Sequence, residues 1–466
     1  MTDPTDAGHA NREYRRALGI LWQRSAWERG LVADPFGGED AARRGLLRTR
    51  AFVDALGAPD RSLPLLHIAG SKGKGSTAAM AAAALSAAGF RTGLYTSPHL
   101  NAFHERVAIN GRPAGKAPFA ALAFEADAAA AAVEASRPDL GQVTTFELLT
   151  GMAFLAFARA GCAVAVIEVG LGGEWDATNV IDPAACAITR IDLEHTAILG
   201  DTLAAIASAK AGIIKPARPV AIGPNAPEAE QALLAAGRTA SEVLLAGRDW
   251  RVAGEGRSVT IAGPWGVWPE VSLALAGDHQ AENAGTAAAA LWLLRGSGIV
   301  AGEAAVREGF ATVHWAGRFE RIAGPGGAIV LDGAHTPAAA VALRRTIERE
   351  FPGIRADLVL GCATDKPLEA IVAALAPVAR RVIAVAADTA RAADPSEVAA
   401  AAARAGLAAQ TAGSVAEGLA AAAGAPLALV TGSLYVVGEA REALGLAEPD
   451  PAWGPELVDG PAGPLG

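Results

Sequence analysis

Uninterrupted apolar runs alternate with longer alanine-rich runs along most of the chain. A short apolar run is typical of a strand that is buried on both faces, and alanine is the strongest helix former. In the first half of the chain these runs predict strands at 63–69, 91–96, 163–169, 186–191 and 218–222, and helices at 75–88, 145–160 and 202–213. Strands that alternate with helices form a mostly parallel sheet covered by helices, with ligands at the carboxyl ends of the strands. The predicted fold class is therefore α/β.

The pattern changes at 246–276, where short segments containing Trp250, Trp265 and Trp268 predict small antiparallel strands at a sheet edge, before a helix at 278–294. A second α/β series then begins. It predicts strands at 328–332, 356–361, 381–386 and 426–430, and helices at 337–350, 367–377, 396–406 and 433–443. We expect an N-terminal domain with a helical lead over residues 1–315, a smaller Rossmann-like C-terminal α/β domain over 316–447, and a loose Pro- and Gly-rich tail over 448–466.

Composition limits the classes of function. The chain has 466 residues, 52% of them hydrophobic, a formal net charge of -9 and three cysteines. Excess negative charge repels nucleic acids and anionic membranes, so we expect neither as a partner. Three cysteines without a C-x-x-C pair favour a reducing cytoplasm over a disulfide framework. The N-terminus lacks signal-peptide features, and Arg159 and Glu168 interrupt the most apolar stretch, 151–173, which therefore predicts a helix and a buried strand rather than a membrane span.

The first apolar strand runs into a glycine-rich turn, Gly70-Ser71-Lys72-Gly73-Lys74-Gly75-Ser76-Thr77. Glycines let backbone N–H groups point at one anion, and a helix that begins there adds its positive end. Lys74 can reach terminal phosphates, and Ser76 or Thr77 can face a bound Mg²⁺. An ordinary strand-to-helix turn is the alternative, but it does not require this order of residues. The spacing is shorter than the usual G-x-x-x-x-G-K-[ST], which predicts a phosphate loop of a particular subtype.

Polar residues also follow other predicted strands. Ser97 follows the strand after the loop helix, and Glu168 ends the strand at 163–169, where a carboxylate beside a phosphate loop is well placed to hold Mg²⁺. A plain turn at Ser97 and a buried ion pair at Glu168 are the alternatives. By themselves, His195 would be interpreted as a solvated histidine and Lys210 as a surface lysine.

The phosphate loop belongs to a longer ordered set of motifs. In the first half they lie at 70–77, 95–100 with 105–111, 145–147, 168–173 with 176–179, and 195–196 with 210–213. In the second half they lie at 277–280 with 283, 317–320, 331–335 and 431–439. Together they resemble the folylpolyglutamate synthase and dihydrofolate synthase family of the Mur ligase superfamily, whose members join an amino acid to a carboxylate with ATP. The resemblance covers roughly residues 40–443.

The resemblance implies a P-loop ATPase domain of the Mur ligase type and a reaction in which ATP phosphorylates a folate carboxylate before the amine of L-glutamate displaces phosphate. It implies that Lys74 holds the β- and γ-phosphates, that Ser97 and Glu168 hold one Mg²⁺, and that His195 helps to hold a second. Lys210 matches a family lysine that carries CO₂ as a carbamate. Lys74, His195 and Lys210 are thus the expected catalytic residues.

Further contacts to ATP are expected from the hinge and the second domain. The resemblance assigns them to Asn283, Arg318, Asp332 and His335, in addition to the loop residues from Gly70 to Thr77. An arginine brought in by domain closure is a sensible phosphate partner. For Arg318, a hinge ion pair with Glu320 is the alternative.

The resemblance implies that Phe146, Asp176 and Thr178 bind the substrate, with Phe146 against the pterin ring, although a core phenylalanine is the alternative. The expected partners are ATP, L-glutamate, and tetrahydrofolate, dihydropteroate or both, bound by a monomer. A cell-wall Mur-type ligase and a non-catalytic nucleotide-binding paralogue are the other candidates.

Three positions depart from the bacterial form of the motifs. Lys72 and Thr336 each stand where Asn is frequent, and Glu174-Trp175 stands where an Arg commonly precedes the Asp-Ala-Thr-Asn segment. The glutamate places a negative charge near an anionic site, so it concerns the substrate contacts of that loop more than ATP binding.

Overall fold

The computed structural model describes residues 4–25 and 34–451. Its first part contains, in chain order, α1 (Pro4–Gln23), α2 (Glu39–Ala55), β1 (Leu65–Ala69), α3 (Lys74–Ala87), β2 (Thr92–Tyr95), β3 (Val107–Ile109), β4 (Arg112–Pro113), α4 (Lys116–Ser136), α5 (Thr145–Arg159), β5 (Val164–Glu168), β6 (Ala185–Ile188), α6 (Thr196–Leu199), α7 (Leu203–Ala211), β7 (Val220–Ile222), α8 (Pro227–Ala236) and β8 (Val243–Leu245). Its second part contains β9 (Arg251–Glu255), β10 (Ser258–Gly263), β11 (Gly266–Ser272), α9 (Asp278–Leu293), α10 (Glu303–Thr312), β12 (Glu320–Ala323), β13 (Ala328–Leu331), α11 (Pro337–Glu350), β14 (Ala356–Leu360), α12 (Leu368–Leu375), β15 (Ala379–Ala384), α13 (Pro395–Arg404), β16 (Ala408–Thr411), α14 (Val415–Ala422), β17 (Leu427–Thr431) and α15 (Leu434–Ala443).

The first sheet has eight strands in the order β4-β3-β2-β5-β1-β6-β7-β8. Strands β2, β5, β1, β6, β7 and β8 are parallel, and β3 and β4 extend the edge in antiparallel fashion. Every residue of β1 is buried, because helices cover both faces of the sheet. The carboxyl ends of β5, β1 and β6 therefore meet at the middle of one edge, where a parallel sheet binds ligands.

The second sheet has six strands in the order β12-β13-β17-β14-β15-β16. Only β12 is antiparallel to its neighbour, and the other five strands run parallel. Two apolar clusters pack on its two faces. The prediction of an α/β fold with a smaller C-terminal α/β domain is confirmed.

The tryptophan-containing segment forms antiparallel strands, as predicted, but not at the edge of a larger sheet. Strands β11, β10 and β9 make a three-stranded sheet of their own. The reason lies in packing: Val259, Ile261 and Trp268 are buried in the same cluster as α3 and α9, so this small sheet covers helices instead of pairing its backbone with the large sheet.

The segment predicted as a loose tail begins with an anchored stretch. The Asp450 carboxylate accepts hydrogen bonds from Tyr14 Oη at 2.7 Å and from the backbone N–H of Phe103 at 2.7 Å, and Glu448 pairs with Lys116 at 2.9 Å. The loose-tail prediction is therefore wrong for 448–451, because polar side chains that find partners on the first domain hold that stretch. Residues 452–466 lie outside the described part of the chain.

A short loop after β2 in the first part of the chain contacts α15, which packs on the second sheet. Asn101 donates from Nδ2 to the Gly438 carbonyl and to Glu442 Oε1, both at 2.9 Å, and so contacts α15. A Cβ on Gly438 would lie 2.8 Å from the Leu100 carbonyl oxygen, so this helix approaches the loop closely. The carboxyl ends of both sheets thereby line one cleft of about 2510 Å³.

Candidate active site

The predicted phosphate loop connects β1 to α3 at the centre of the cleft. Gly70 and Gly73 have φ angles of 149° and 89°. A Cβ would lie 1.8 Å from Thr189 Oγ1 at the first position and 2.1 Å from Asn283 Oδ1 at the second, so only glycine fits at either. These two glycines set the path of the loop against its neighbours.

Part of the loop backbone is already engaged within the protein. The N–H groups of Ser71 and Lys72 both donate to the Arg190 carbonyl oxygen, at 2.8 and 3.0 Å. The N–H groups of the loop that stay available to an anion are those from Gly73 onward, which open the first turn of α3 and lack intrahelical acceptors. The predicted phosphate cradle began at Gly70, and the N–H groups of Ser71 and Lys72 within it are already used by Arg190.

The two hydroxyls at the start of α3 have different surroundings. Ser76 lines the cleft and its Oγ accepts a hydrogen bond from Gln280 Nε2 at 3.3 Å. Thr77 is fully buried, and its Oγ1 has no hydrogen-bond partner among the described residues. Ser76 is thus the better placed of the two to face a metal ion.

Three lysines gather beside the loop. Lys74 Nζ donates to the Gly70 carbonyl oxygen at 3.1 Å, and Lys210 Nζ donates to the same oxygen at 2.9 Å. Glu194 receives Lys210 on one carboxylate oxygen at 2.9 Å and Lys72 on the other at 3.5 Å. These three ammonium groups outnumber the two nearby carboxylates, Glu194 and Glu168, so positive charge is in excess where a phosphate would lie.

Lys210 is not the surface lysine that its local sequence suggests. It is 1% exposed, and burial together with the Lys74 charge lowers its pKa to about 8, against the opposing charge of Glu194. A lysine in this state is neutral in a useful fraction of molecules near neutral pH. Its partner Glu194 was missed by the sequence reasoning, although an acidic residue directly before His195 at a strand end was the available signal.

Glu168 ends β5 inside the cleft with little exposed surface. Its Oε2 accepts the backbone N–H of Ser97 at 3.1 Å, and burial raises its pKa to about 7 in spite of Lys74. No ion pair holds it among the described residues. The predicted alternative of a buried ion pair therefore does not apply, and a carboxylate so placed favours a bound cation.

His195 lies at the exposed side of this cluster, close enough for the charges of Glu194 and Lys210 to act on its pKa. It is exposed, adopts a left-handed conformation with φ 48° and precedes α6. Partial burial of the ring within this exposed residue, together with the neighbouring lysine charges, lowers its pKa in spite of Glu194, so a ring nitrogen can act as a donor atom for a metal near neutral pH.

The donor set fits Mg²⁺ on chemical grounds. Ser97 and Glu168 offer hard oxygen ligands, and Mg²⁺ takes one or two carboxylates together with phosphate oxygens and water. In the part of the chain that the structure describes, no three side chains of His, Cys, Asp or Glu form a preassembled cation site. Any Mg²⁺ held here would thus need oxygens from the nucleotide.

The opposite wall of the cleft carries the residues predicted to reach ATP from the second domain. Arg318 Nη1 donates to the Gly317 carbonyl oxygen at 3.1 Å. The hinge ion pair considered for it does not form, because Glu320 is taken by Arg441 and by the Gly317 N–H at 2.9 Å. The Arg318 guanidinium keeps most of its donors for a ligand.

Asp332 and His335 are tied to the backbone around them. The Asp332 carboxylate accepts the N–H groups of Phe319 and Ala334, both at 2.9 Å, and His335 Nδ1 lies 2.8 Å from the Gly333 carbonyl oxygen. Asp332 thereby fixes the Arg318 turn to β13. The structure brings both residues into the cleft.

Asn283 bridges the phosphate loop to α9. Its Oδ1 lies against Gly73, and its Nδ2 donates to Gln280 Oε1 at 2.9 Å. Thr336 has a local explanation: it caps α11 by accepting the Ala339 N–H at 3.3 Å, a task for which threonine serves as well as asparagine.

Phe146 lies in the first turn of α5, which begins with a capping box between Thr144 and Glu147. Its ring packs against Tyr95, with centroids 6.1 Å apart, and against Gly170, where a Cβ would lie 2.4 Å from the ring. It is half-buried and lines the cleft, so one side of the ring is supported by the core and the other is open to a ligand.

Asp176 lines the cleft, whereas Thr178 is fully buried behind it. The Asp176 carboxylate accepts Leu171 N at 2.9 Å, Thr178 N at 3.0 Å and Thr178 Oγ1 at 2.5 Å. In this arrangement Asp176 can contact a substrate directly, whereas Thr178 cannot.

The unusual Glu174 does not direct its charge into the cleft. Its backbone is fixed by hydrogen bonds from its N–H to the Ala209 carbonyl and from Asn179 Nδ2 to its own carbonyl, both at 2.8 Å, and its side chain is exposed. Trp175 lines the cleft instead. The repulsion expected from a glutamate near an anionic site is therefore avoided.

Comparison with known proteins agrees with this geometry. Residues 68–291 match the Mur ligase middle domain, and residues 317–434 match the Mur ligase glutamate ligase domain. The chain is 40% identical over 355 residues to the Mycobacterium tuberculosis dihydrofolate synthase/folylpolyglutamate synthase, covering 72% of each protein. The chain belongs to the folylpolyglutamate synthase and dihydrofolate synthase family. The family resemblance of the motifs is thus confirmed.

Solved structures of this family share the fold. M. tuberculosis folylpolyglutamate synthase complexed with ADP superimposes with a TM-score of 0.83 at 33% identity, covering 95% of this chain and 100% of that one. E. coli FolC in complex with DHPP and ADP gives a TM-score of 0.75 at 28% identity, covering 85% and 92%. Within the described residues, no helix combines the length and the apolarity needed to cross a membrane.

Proposed function

We propose that this protein is an ATP-dependent ligase that forms an amide between L-glutamate and the carboxylate of a folate. The observation that carries the proposal is the shared cleft. One wall has a phosphate loop with excess lysine charge and a buried Glu168 that no cation of the described residues pairs with, and the other wall has Arg318. The family relatives and the neighbours solved with ADP and with DHPP support it.

The chemistry explains why such a cleft is needed. A carboxylate oxygen is a poor leaving group, so it first attacks the γ-phosphorus of ATP to give an acyl phosphate and ADP. The glutamate amine then attacks the acyl carbon, phosphate leaves, and the amine loses a proton. Charge develops on the transferred phosphoryl group, and fixed cations stabilise it best in a site closed to water. We assign this work to Lys74 and Arg318, with Asn283, Asp332 and His335 shaping the nucleotide site.

A divalent cation supplies charge neutralisation on the phosphates when it is bound. We assign Ser97 and Glu168 to one Mg²⁺, and His195 to a second. We also assign to Lys210 a carbamate made from its neutral amine and CO₂, which would turn a buried cation into an anion beside that second ion. The low pKa of Lys210 supports this assignment, because only the neutral amine reacts with CO₂.

The acid substrate is tetrahydrofolate carrying glutamate, and dihydropteroate is a second substrate of the same site. Phe146 offers an open aromatic face for a planar heterocycle, and Asp176 offers a carboxylate beside it. We place the domain boundary between residues 315 and 316 and expect a monomer in the cytoplasm. A cell-wall ligase is less well supported, because the relatives that match over most of the chain are folate enzymes.

The deciding experiment offers the purified protein ATP, Mg²⁺ and L-glutamate with dihydropteroate or with tetrahydrofolate, and reads product masses. One added glutamate on dihydropteroate identifies the synthase activity, and repeated additions on tetrahydrofolate identify the polyglutamylating one. ADP should appear in step with each amide. Absence of product from both acids would reject the proposed function.

Replacing Lys74 by Ala tests the phosphate assignment. The loss of one fixed cation at the reacting phosphate should lower kcat by roughly 10²–10³-fold while leaving the melting temperature near that of the wild type. Lys116→Ala is the matched control, since Lys116 pairs with Glu448 at the cleft rim. Near-normal turnover of the Lys74 variant would contradict the assignment.

Replacing Lys210 by Ala tests the carbamate. Activity should fall, and short carboxylic acids added to the assay should restore part of it by placing a carboxylate in the vacated space. A fully active Lys210→Ala enzyme would remove the carbamate from the proposal.

A further inference from the structure

A buried histidine lies behind the cleft without a place in the proposed mechanism. His67 is the middle residue of β1, is 0% exposed, and pairs in register with Ile167 of β5 and Cys186 of β6. Its Nε2 lies 2.8 Å from Thr178 Oγ1. A polar ring at the centre of a buried parallel sheet is unfavourable unless its hydrogen bonds are used.

The hydrogen bonds run in one direction from this ring to the cleft. Thr178 Oγ1 lies 2.5 Å from Asp176 Oδ1, and the same carboxylate accepts two backbone N–H groups. Because donors surround the carboxylate, the single hydroxyl proton of Thr178 points to Asp176. The hydroxyl oxygen must then accept from His67, so His67 carries its proton on Nε2.

The remaining nitrogen of the ring agrees with this tautomer. His67 Nδ1 is buried and has no hydrogen-bond partner among the described residues, which suits a nitrogen without a proton. Burial and the nearby Lys215 charge lower the pKa of His67 to about 3, so the ring stays neutral. The chain of bonds is therefore His67 to Thr178 to Asp176.

We propose that His67 is a positioning residue for the acid substrate: through Thr178 it holds the Asp176 carboxylate in the orientation that this carboxylate presents to a planar heterocycle in the cleft. This inference rests on the proposed function and adds to it a residue that does not touch the substrate. Strand β1 would then contribute to both the acid-substrate site, through His67, and the nucleotide site, through the phosphate loop that begins three residues later.

The geometry explains why a residue behind the site should matter. An Asp carboxylate can rotate about its terminal bond, and hydrogen bonds on both oxygens remove that freedom. Leu171 N holds Oδ2, while Oδ1 is held by Thr178, whose hydroxyl is in turn held by His67. Without the His67 donor, the hydroxyl oxygen is left with an unsatisfied acceptor in a dry site and can turn away from Asp176.

The test compares His67→Leu, which removes the donor at similar volume, with His67→Gln, whose amide nitrogen can replace Nε2. The Leu variant should raise KM for the pteroate-type acid about tenfold, with kcat and the KM for ATP within about twofold of wild type. The Gln variant should recover most of the KM. An unchanged KM in the Leu variant, or an equal rise for ATP, would overturn the proposal.

A double-mutant cycle separates positioning from general loosening. In an Asp176→Asn background, His67→Leu should add no further rise in KM, because its effect passes through the carboxylate. Additive effects would overturn the proposal. If His67→Leu does not fold, Thr178→Val against Thr178→Ser replaces it in the same cycle, with the Val variant expected to show the rise and the Ser variant to restore it.

Two readouts keep this inference separate from the proposed function. Nitrogen NMR of the wild-type protein should show His67 as the neutral Nε2–H tautomer, and an Nδ1–H tautomer would overturn the inference whatever the activity. Failure of the proposed function would appear as absence of amide product in the wild type, whereas failure of the inference alone would leave the wild type active and the His67 variants unchanged in KM.

Discussion

Two glutamates with little exposed side-chain surface have opposite surroundings: Glu168 lines the cleft, and Glu320 lies in the turn on the opposite side of it. Among the described residues, Glu168 at the end of β5 has one backbone donor and no ion pair, and burial raises its pKa to about 7. Glu320 lies at the start of β12, and His314, Arg441 and the Gly317 N–H lower its pKa to about 2 against the effect of burial.

The difference separates a functional charge from a structural one. A raised pKa means that the fold is destabilised by the ionised carboxylate, and such a group persists where a ligand needs it. A lowered pKa means that the ionised form stabilises the fold. By this criterion the Glu168 carboxylate on the first-domain wall is kept for a ligand. The ion pair of Glu320 with Arg441 instead stabilises the turn at 317–320.

The largest expected effect is on kcat, which should fall when Glu168 is replaced and not when Glu320 is replaced. Glu168→Gln should lower kcat by roughly 10²–10³-fold, because a neutral amide is a poor magnesium ligand and the developing phosphate charge is less well neutralised. Glu320→Gln should keep kcat within about threefold of wild type for the folded fraction. Steady-state assays over a range of Mg²⁺ concentrations measure both, and comparable losses in the two variants would abolish the contrast.

The next effect concerns stability. Neighbouring donors lower the pKa of Glu320 from 4.5 to about 2, which at about 1.4 kcal/mol for each pH unit sets an upper bound of about 3 kcal/mol on the folding free energy at neutral pH. Because the group is only partly buried, solvent screening reduces this contribution to about 1–2 kcal/mol. Glu320→Gln should lose about that amount in urea unfolding, since it leaves Arg441 buried without its carboxylate. A loss below about 0.5 kcal/mol would show that Glu320 contributes nothing structural.

The folding stability contributed by Glu168 and by Glu320 should depend on pH with opposite signs. In metal-free protein, wild-type Glu168 binds its proton more tightly folded than unfolded, so stability falls as pH rises from 4.5 to about 7. Glu168→Gln should therefore be more stable than wild type at pH 8, and the advantage should vanish near pH 4.5. For Glu320 the stabilisation is complete above pH 4.5 and is lost as the pH falls towards 2. Thermal melts of wild type and Glu168→Gln from pH 5 to pH 8 test the Glu168 prediction. A stability gain of the variant that grows as the pH falls would contradict it.

The smallest expected effect concerns Asp450, a carboxylate with a raised pKa that we do not assign to ligand binding. Burial raises the pKa of Asp450, yet this carboxylate lies away from the phosphate loop and anchors the C-terminal segment to Tyr14. Tyr14→Phe should cost about 1 kcal/mol of stability and leave kcat unchanged. Tyr435→Phe, at an exposed site, is the control. Loss of kcat in the Tyr14 variant would mean that this anchor takes part in closing the cleft.

The sequence predicted the site best where motif and backbone geometry coincide. The loop residues from Ser71 to Gly75, Glu168 at its strand end and Arg318 after the hinge all line the cleft, because parallel strands bring their carboxyl ends together whatever the loops contain. Glu194 and His67 were missed, since neither periodicity nor spacing tells which buried side chain meets which across the sheet.

Local chemistry alone determined the order of strands and helices, the phosphate-loop turn and the family, because these depend on apolar runs, glycine and residue order. Tertiary structure decided the rest. It placed Lys210 in the interior beside Glu194, turned Glu174 outward and Trp175 inward, and hid Thr178 behind Asp176. Charge state and exposure are set by neighbours that are distant in the chain, and only the folded molecule specifies those neighbours.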